Sequence, residues 1–321
     1  MMSKYVLDFE SPLQELEAKI ETVQATGQKT GVDVSRNIRQ LEERLEKKKR
    51  SIYGKLSRWN RVQLARHPLR PHALDYIDLM FSDFLELHGD RYFADDAAIV
   101  AGIGKLDKYS VMVVGQQKGR TTKDNLHRNF GMPRPEGYRK ALRIMKLGEK
   151  FGLPIITLID TMGAYPGVGA EERGQAEAIA HNLMVMSTLK VPVINTVIGE
   201  GASGGALGIG MGDRLLCLEN TWFSVISPEG CASILFRDSS KAPEAADAMK
   251  VTAQDLFEMG IADRIIAEPG GAAHLDPTGS AAKFKKALLE ELDELIPFQP
   301  DNLVTARIEK YENFGHWEVK K

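Results

Sequence analysis

Between residues 11 and 23 the apolar positions Leu13, Leu16, Ile20 and Val23 recur at intervals of three and four, the spacing of one helical stripe. Ser11, Pro12 and Gln14 suit an N-cap, a first helical position and a capping-box partner. Gly27 and Gly31 are read as breaking this helix. A second helix is expected from Ser35, with Ile38, Leu41, Leu45, Ile52, Leu56 and Trp59 on a narrow apolar face. Residues 1–66 thus read as a helical hairpin, an arm against a partner or against the body. His67-Pro68 and Arg70-Pro71 punctuate the junction. A short helix is expected over Asp75 to Leu87. Ala98–Lys105 and Tyr109–Gln116 are β-rich runs separated by Leu106-Asp107-Lys108, a hairpin pattern. Past a polar loop at 118–136, helix and strand alternate. Helices are expected over 137–151 and 171–189, strands over Leu153–Asp160 and Val191–Ile198. Both strands open with an apolar residue and a proline and are otherwise nearly all apolar, which suits a parallel sheet buried on both faces. Further strands are read at 214–218, 222–226 and 261–267, with helices from Pro228 and over 281–295. The pattern predicts an α/β body of strand-strand-helix units over 67–296 and a tail at 297–321.

Composition narrows the function classes. The 321 residues carry 42 Lys+Arg against 44 Asp+Glu, a net charge of −2. No apolar run approaches the ~20 residues that span a membrane. The acids near the N-terminus argue against a secretory signal. Two cysteines, Cys217 and Cys231, cannot build a disulfide framework or a four-thiolate zinc site, so a reducing, cytoplasmic setting and no metal are expected. The near-neutral total hides local asymmetry. Residues 36–70 hold twelve Lys/Arg and three Glu, and residues 118–143 hold eight Lys/Arg, one Asp and one Glu. Such stretches attract phosphate, nucleic acid or an acidic partner, or form a solvated face or fold against the protein's own acids.

Seven of the fourteen residues from Gly199 to Gly212 are glycine, directly after a buried strand and before an apolar helical stretch. A strand-to-helix turn bares the first N–H groups of the helix at its electropositive end, and glycine lets an atom approach them. The anion can be a phosphate or an oxyanion that forms during reaction; close helix–sheet packing also calls for small residues. The segment Gly201-Ala202-Ser203-Gly204-Gly205 also matches G-x-S-x-G, which would make Ser203 a hydrolase nucleophile. The downstream histidines available as its base are His274 and His316. Neither a dinucleotide fingerprint nor a P-loop is present. A second glycine turn, Asp160 to Gly169, closes the preceding strand, and two such turns at neighbouring strand ends can line one pocket. Asp160 reads equally as an acid–base group or a loop cap.

The runs IDTMGAYPGVGAEERGQAEAIAHNL, VIGEGASGGALGIGMGDR and VISPEGCASILF closely resemble the carboxyltransferase alpha-subunit family of bacterial-type (or plastid) acetyl-CoA carboxylase. So do LDFESPLQELEAKI, ARHPLRPHALDYI, ELHGDR and QKGRTTKDNLHRNFGMPRPEGYRKALR. The resemblance implies a crotonase-like fold, a spiral of strand-strand-helix repeats of the ClpP/crotonase superfamily. It implies a beta subunit in an alpha-two beta-two assembly, a biotin carboxyl carrier protein and a biotin carboxylase. The implied reaction moves a carboxyl group from carboxybiotin to acetyl-CoA, making malonyl-CoA for fatty acid synthesis in the cytoplasm or the plastid stroma. Beta would supply the acyl-CoA pocket and alpha the biotin pocket. By that resemblance the Gly204 and Gly205 N–H groups would hold charge on the biotin ureido oxygen. Gly163 and Ala164 would contribute from the other turn, and Gly201, Ser203 and Arg173 would bind substrate. Arg173 could grip the carboxylate of carboxybiotin or pair with Glu171, Glu172 or Glu177. The family's turn reads Asp-Thr-Pro-Gly-Ala; here Met162 takes the proline's place, which frees a backbone N–H and relaxes φ. Ala248-Met249-Lys250 resembles the core of a biotinylation site, but its flanks favour helix, so biotin is expected on another chain.

Overall fold

A computed structural model describes residues 5–315. The arm begins with helix α1 (Ser11–Thr30), which follows a 3-10 turn at Asp8–Glu10. That turn moves the N-cap from Ser11 to Glu10. Gly27 does not break α1. It lies within the helix, where its missing side chain leaves room for Val34, whose Cγ2 would lie 2.6 Å from an added Cβ, and the chain turns only at Gly31, with φ 68°. Helix α2 (Ser35–Tyr53) also stops short of the expected Trp59. Ser57 starts a new helix, α3 (Arg58–Ala65), by accepting the Asn60 N–H at 3.1 Å. The expected helix at 75–87 divides into α4 (Ala73–Met80) and strand β1 (Ser82–Glu86).

Strands β2 (Ile99–Leu106) and β3 (Tyr109–Gln116) form the expected hairpin, and β1 pairs antiparallel to β2. The loop at 118–136 contains helix α5 (Thr122–His127) and leads to α6 (Pro135–Phe151). Strand β4 (Ile155–Thr161) follows. The helix expected at 171–189 is broken by Gly174, with φ 81°, into α7 (Val168–Glu172) and α8 (Gln175–Thr188). Strand β5 (Val193–Ala202) runs four residues past the expected end at Ile198, into the glycine turn, before the short α9 (Ser203–Leu207). Then come β6 (Arg214–Leu218), β7 (Trp222–Ser224), α10 (Pro228–Phe236), α11 (Ala242–Met249), α12 (Ala253–Glu258) and β8 (Arg264–Ile266). Helices α13 (Pro277–Leu295) and α14 (Pro300–Glu312) end the described chain.

The sheet order is β1-β2-β3-β4-β5-β6-β8, with β7 on the far end of β5, and every pairing from β3 onward is parallel. All residues of β4 and β5 are buried, as their largely apolar composition suits. One face packs Ile156, Leu158, Ile194 and Leu216 against α4 and α13 through Tyr76, Ile77, Phe284 and Leu288. The other packs Ile155, Ile159, Val193 and Val197 against α6 and α8 through Ile144, Met145 and Met186. Each such aliphatic side chain stabilises the fold by about 1.5–3 kcal/mol.

The segment expected as a tail carries α14, whose Arg307 is buried. Its guanidinium donates to Asp213 at 2.8 and 2.7 Å and to the carbonyls of Met186, Leu189 and Val191. Among the described residues no helix is long and apolar enough to cross a membrane.

Candidate functional site

In a parallel sheet the carboxyl ends of neighbouring strands open on one edge. Here β3, β4 and β5 bring Gln116, Asp160 and Glu200 to that edge, and all three are buried. Gln116 ties the strands together. Its Oε1 accepts the Asp160 N–H at 3.1 Å while its Nε2 donates to the Gly205 carbonyl at 2.7 Å. The Tyr138 hydroxyl donates to the same carbonyl at 3.1 Å. The peptide at the head of α9 is therefore held by two donors that cannot move with solvent.

The two glycine turns meet. A Cβ on Gly205 would lie 2.2 Å from the Gly163 carbonyl carbon and 2.4 Å from the Ala164 nitrogen, so the missing side chain makes room for the other turn's backbone. At Gly204 an added Cβ would meet only Ile179, at 3.7 Å. Gly204 is half-buried, Gly205 buried and Ser203 exposed. Ser203 adopts φ 58°, the left-handed region that is costly for a residue with a Cβ. Gly163 has φ 145° with nothing within 4 Å of an added Cβ. The turn that carries Met162 is pinned: Thr161 Oγ1 donates to the Gly163 carbonyl at 2.7 Å and accepts its N–H at 3.1 Å. Gly201 is buried beneath Phe223, whose Cδ2 would lie 2.4 Å from an added Cβ, so that glycine serves strand packing.

Beside the turns lies a charged network. Lys118 Nζ contacts Asp160 and Glu200, each at 2.7 Å. Glu200 also takes Arg66 Nε at 2.5 Å, and Arg66 forks onto Glu229. Gly199 admits this geometry, since a Cβ there would lie 2.3 Å from Asp160 Oδ1. Burial raises the Glu200 pKa, but Lys118 and Arg66 outweigh it and hold the carboxyl below its usual range. Burial opposes the Lys118 charge in turn, and Asp160 and Glu200 outweigh that and raise its pKa. His72 is pushed down to about 4 by burial, with Asp160 attraction opposing and the Arg120 and Lys118 charges adding to the fall. A cavity of about 600 Å³ opens on this network, lined by Arg66, His72, Lys118, Phe130, Met162 and Trp222 among others.

Other expected site residues are placed differently. Arg173 pairs with none of Glu171, Glu172 or Glu177. Glu136 holds its guanidinium in a fork at 3.1 and 2.9 Å, and Phe93 lies beneath it at 4.6 Å. Among the described residues no histidine hydrogen-bonds Ser203. His274 stacks on His67 at 3.7 Å beside Glu10, and His316 lies outside the described residues. Glu10, His67 and His274 are close enough to hold a metal. Glu10, however, already accepts the Tyr53 hydroxyl at 2.6 Å and the Leu7 N–H at 3.1 Å, and His67 Nδ1 accepts from Leu69, so the trio joins arm to body. Lys250 caps α11 with φ 52° and does not sit between strands. The basic segments largely fold against the protein's own acids. Arg58 pairs with Asp247 and Asp255, Arg70 with Glu268, and Arg120 with Asp75. Gln116 lies outside the resembling blocks, and Lys118, Tyr138 and Arg66 lie inside them with no role assigned by the sequence. The signals available were a polar run, Gln116-Gln117-Lys118, ending an apolar strand, and one acid, Glu200, inside a glycine run.

The parallel sheet, its antiparallel edge hairpin and the paired backbone turns at the strand ends define a crotonase-like carboxyltransferase fold. Transcarboxylase 12S, solved with methylmalonyl-coenzyme A and methylmalonic acid bound, superposes with a TM-score of 0.55 at 19% identity, over 81% of this chain and 46% of the transcarboxylase chain. The chain belongs to the acetyl co-enzyme A carboxylase carboxyltransferase-like family, whose model matches residues 6–315. The acetyl-coenzyme A carboxylase carboxyl transferase subunit alpha of Chlorobium limicola is 53% identical, over 99% of this chain and 100% of the relative. The subunit of the same name from Listeria welshimeri is 53% identical over 98% of each chain.

Proposed function

We propose that this chain is the alpha half of a carboxyltransferase. With a beta subunit, in an alpha-two beta-two assembly, it moves a carboxyl group from biotin on a carrier protein to acetyl-CoA, forming malonyl-CoA for fatty acid synthesis. A biotin carboxylase recharges the carrier. The setting is the cytoplasm, or the plastid stroma. The body at 67–296 carries the chemistry, buttressed by the arm at 1–66 and the segment 297–321. The observation that supports this reading best is the near-full-length identity to named alpha subunits.

The residues at the turns fit such a donor. Space is open at Gly204 and Gly163, and the Gly205 carbonyl is fixed from behind by Gln116 and Tyr138. The chemistry the donor supplies is a carboxyl on a urea nitrogen, with charge gathering on the urea oxygen as the carboxyl leaves. The Gly204 and Gly205 N–H groups stabilise that charge, each well-placed donor contributing about 2.7–4 kcal/mol. Gly163 and Ala164 form the wall against which Gly205 is seated. Ser203 acts through its small size and its turn geometry. Arg173, committed to Glu136, positions the α7–α8 junction against α6.

The test compares the chain alone, the chain with its beta subunit, and Ser203→Ala in the complex. Carboxyl transfer is expected only on mixing, with most of it retained in the Ser203→Ala complex. Near-complete loss in that variant, together with ester hydrolysis by the chain alone, would restore the serine hydrolase reading.

A further inference from the structure

A second concavity lies away from the strand ends, between α6 and α8. Along α6, Arg139, Arg143, Lys146 and Lys150 fall at i, i+4, i+7 and i+11, one ridge of the helix. They line a groove of about 610 Å³ whose other wall includes Glu177, His181 and Asn182. Four cations thus face a single carboxylate inside a volume typical of small-ligand sites.

Three of these cations, Arg143, Lys146 and Lys150, differ from those that pair directly with acids elsewhere. Arg143 donates only to backbone carbonyls, Gly89 at 3.0 Å and His88 at 3.1 Å, so its guanidinium is oriented without a direct carboxylate contact, with Asp90 and Asp95 nearby. Burial, and then the neighbouring Arg91, lower its pKa, while attraction to Asp90 and Asp95 opposes the fall. Arg139 reaches Asp90 through Nε at 3.1 Å. Its Nη2 is buried without a hydrogen-bond partner, and the nearest acid, Glu136, stands 3.8 Å away. Among the described residues Lys146 and Lys150 have no acid partner. A concave wall of one sign focuses its field and gathers counter-charge, which a convex solvated helix face does not.

We propose that the α6–α8 groove binds a chain of linked phosphates. The ridge of four cations extends about 16 Å along the helix, so adjacent negative charges meet successive cations where a lone anion meets one or two. Arg139 is held in place by Asp90 and by the Arg173 carbonyl at 3.0 Å and adds its charge to the ridge, while the two lysines offer mobile ammonium groups to successive phosphates. The proposal is independent of the reading of the strand-end site.

Titration calorimetry on the full-length chain, at constant ionic strength, tests it with inorganic tripolyphosphate against orthophosphate. Tripolyphosphate is expected to bind at least about tenfold more tightly, and less tightly as salt rises. The variant Lys146→Gln/Lys150→Gln removes two side chains that hold no other part of the fold, and it should weaken binding about tenfold. The control Lys47→Gln/Lys48→Gln, on α2, should leave binding unchanged. Equal affinity for the two anions, or equal weakening by both variants, overturns the proposal. Tighter binding of a poly-glutamate peptide than of tripolyphosphate also overturns it, in favour of an acidic protein partner. Competition by ATP and by coenzyme A then separates the sources: ATP displacing the probe alone indicates a nucleoside triphosphate, and coenzyme A alone a pyrophosphate-linked cofactor.

Discussion

The turns that end β4 and β5 look alike in sequence: an acid, a few small residues, then glycine. They use glycine differently. At Gly163 the space beside Cα is empty and the backbone angle, φ 145°, calls for glycine. At Gly205 the angle is ordinary and the space is taken by the backbone of the other turn, 2.2 Å from where a Cβ would stand. Gly204, one residue earlier, needs neither and has open space before it. Within one site, then, glycine serves conformation, packing and access at three different positions. Only the last bears directly on what a ligand meets.

The largest expected effect comes from separating the turns altogether. Lys118 bridges Asp160, at the end of β4, and Glu200, near the end of β5. Lys118→Met leaves both carboxylates buried beside each other and should lower stability by about 3–5 kcal/mol, read as a fall in Tm. The sign of the pH dependence follows from Glu200, whose folded pKa is depressed. Its contribution in the wild type is complete above about pH 4.3, the unfolded value, and is lost as pH falls through the lower folded value. The gap between wild type and variant should therefore narrow in acid. A gap that stays constant from pH 7 to well below pH 4, through about pH 2, would show that the charges do not hold the turns.

Gly205→Ala comes next. Overpacking there should cost about 1–3 kcal/mol. By shifting both turns it should also cut carboxyl transfer in the assembled enzyme by about a hundredfold. Gly163→Ala should be milder, at the low end of the about 1–3 kcal/mol that backbone strain costs and with no clash, so its Tm should fall less than that of Gly205→Ala. Gly204→Ala should be mildest, within about 1 kcal/mol of wild type. Gly204→Trp should keep a near-normal melt yet abolish transfer, because it covers the N–H groups without disturbing the packing behind them. Parallel loss of stability and activity in Gly204→Trp would erase the distinction between access and packing.

Much of the fold was legible before any coordinate. The apolar runs of β4 and β5, the β2–β3 hairpin and the helix over 137–151 all follow from the sequence pattern. The failures share a physical origin. Gly27 was read as a breaker because propensity ignores that Val34 packs against it. Residues 82–86 were read as helix because an edge strand lacks the strict alternation of a half-buried one. The long helix at 171–189 hid a single left-handed residue, Gly174. In the site, the glycine run announced an anion-binding turn. Gln116, Lys118 and Arg66 went unassigned because each acts on a residue of another segment, across a strand pairing or an arm contact that no local pattern encodes.

What the sequence determined by itself was the alternation of buried strands and amphipathic helices, the glycine-rich end of β5 and, through long matching blocks, the family. Those are properties of neighbours along the chain, where hydrophobic period and missing side chains act locally. The tertiary structure decided which glycine is crowded and which is open, and that Arg173 is tied to Glu136. It also decided that one lysine holds the acids of two strands, and that Lys146 and Lys150 of α6 line a groove while Arg139 pairs with Asp90. Each of these depends on distances between residues far apart in the chain, and packing and charge pairing are set by those distances.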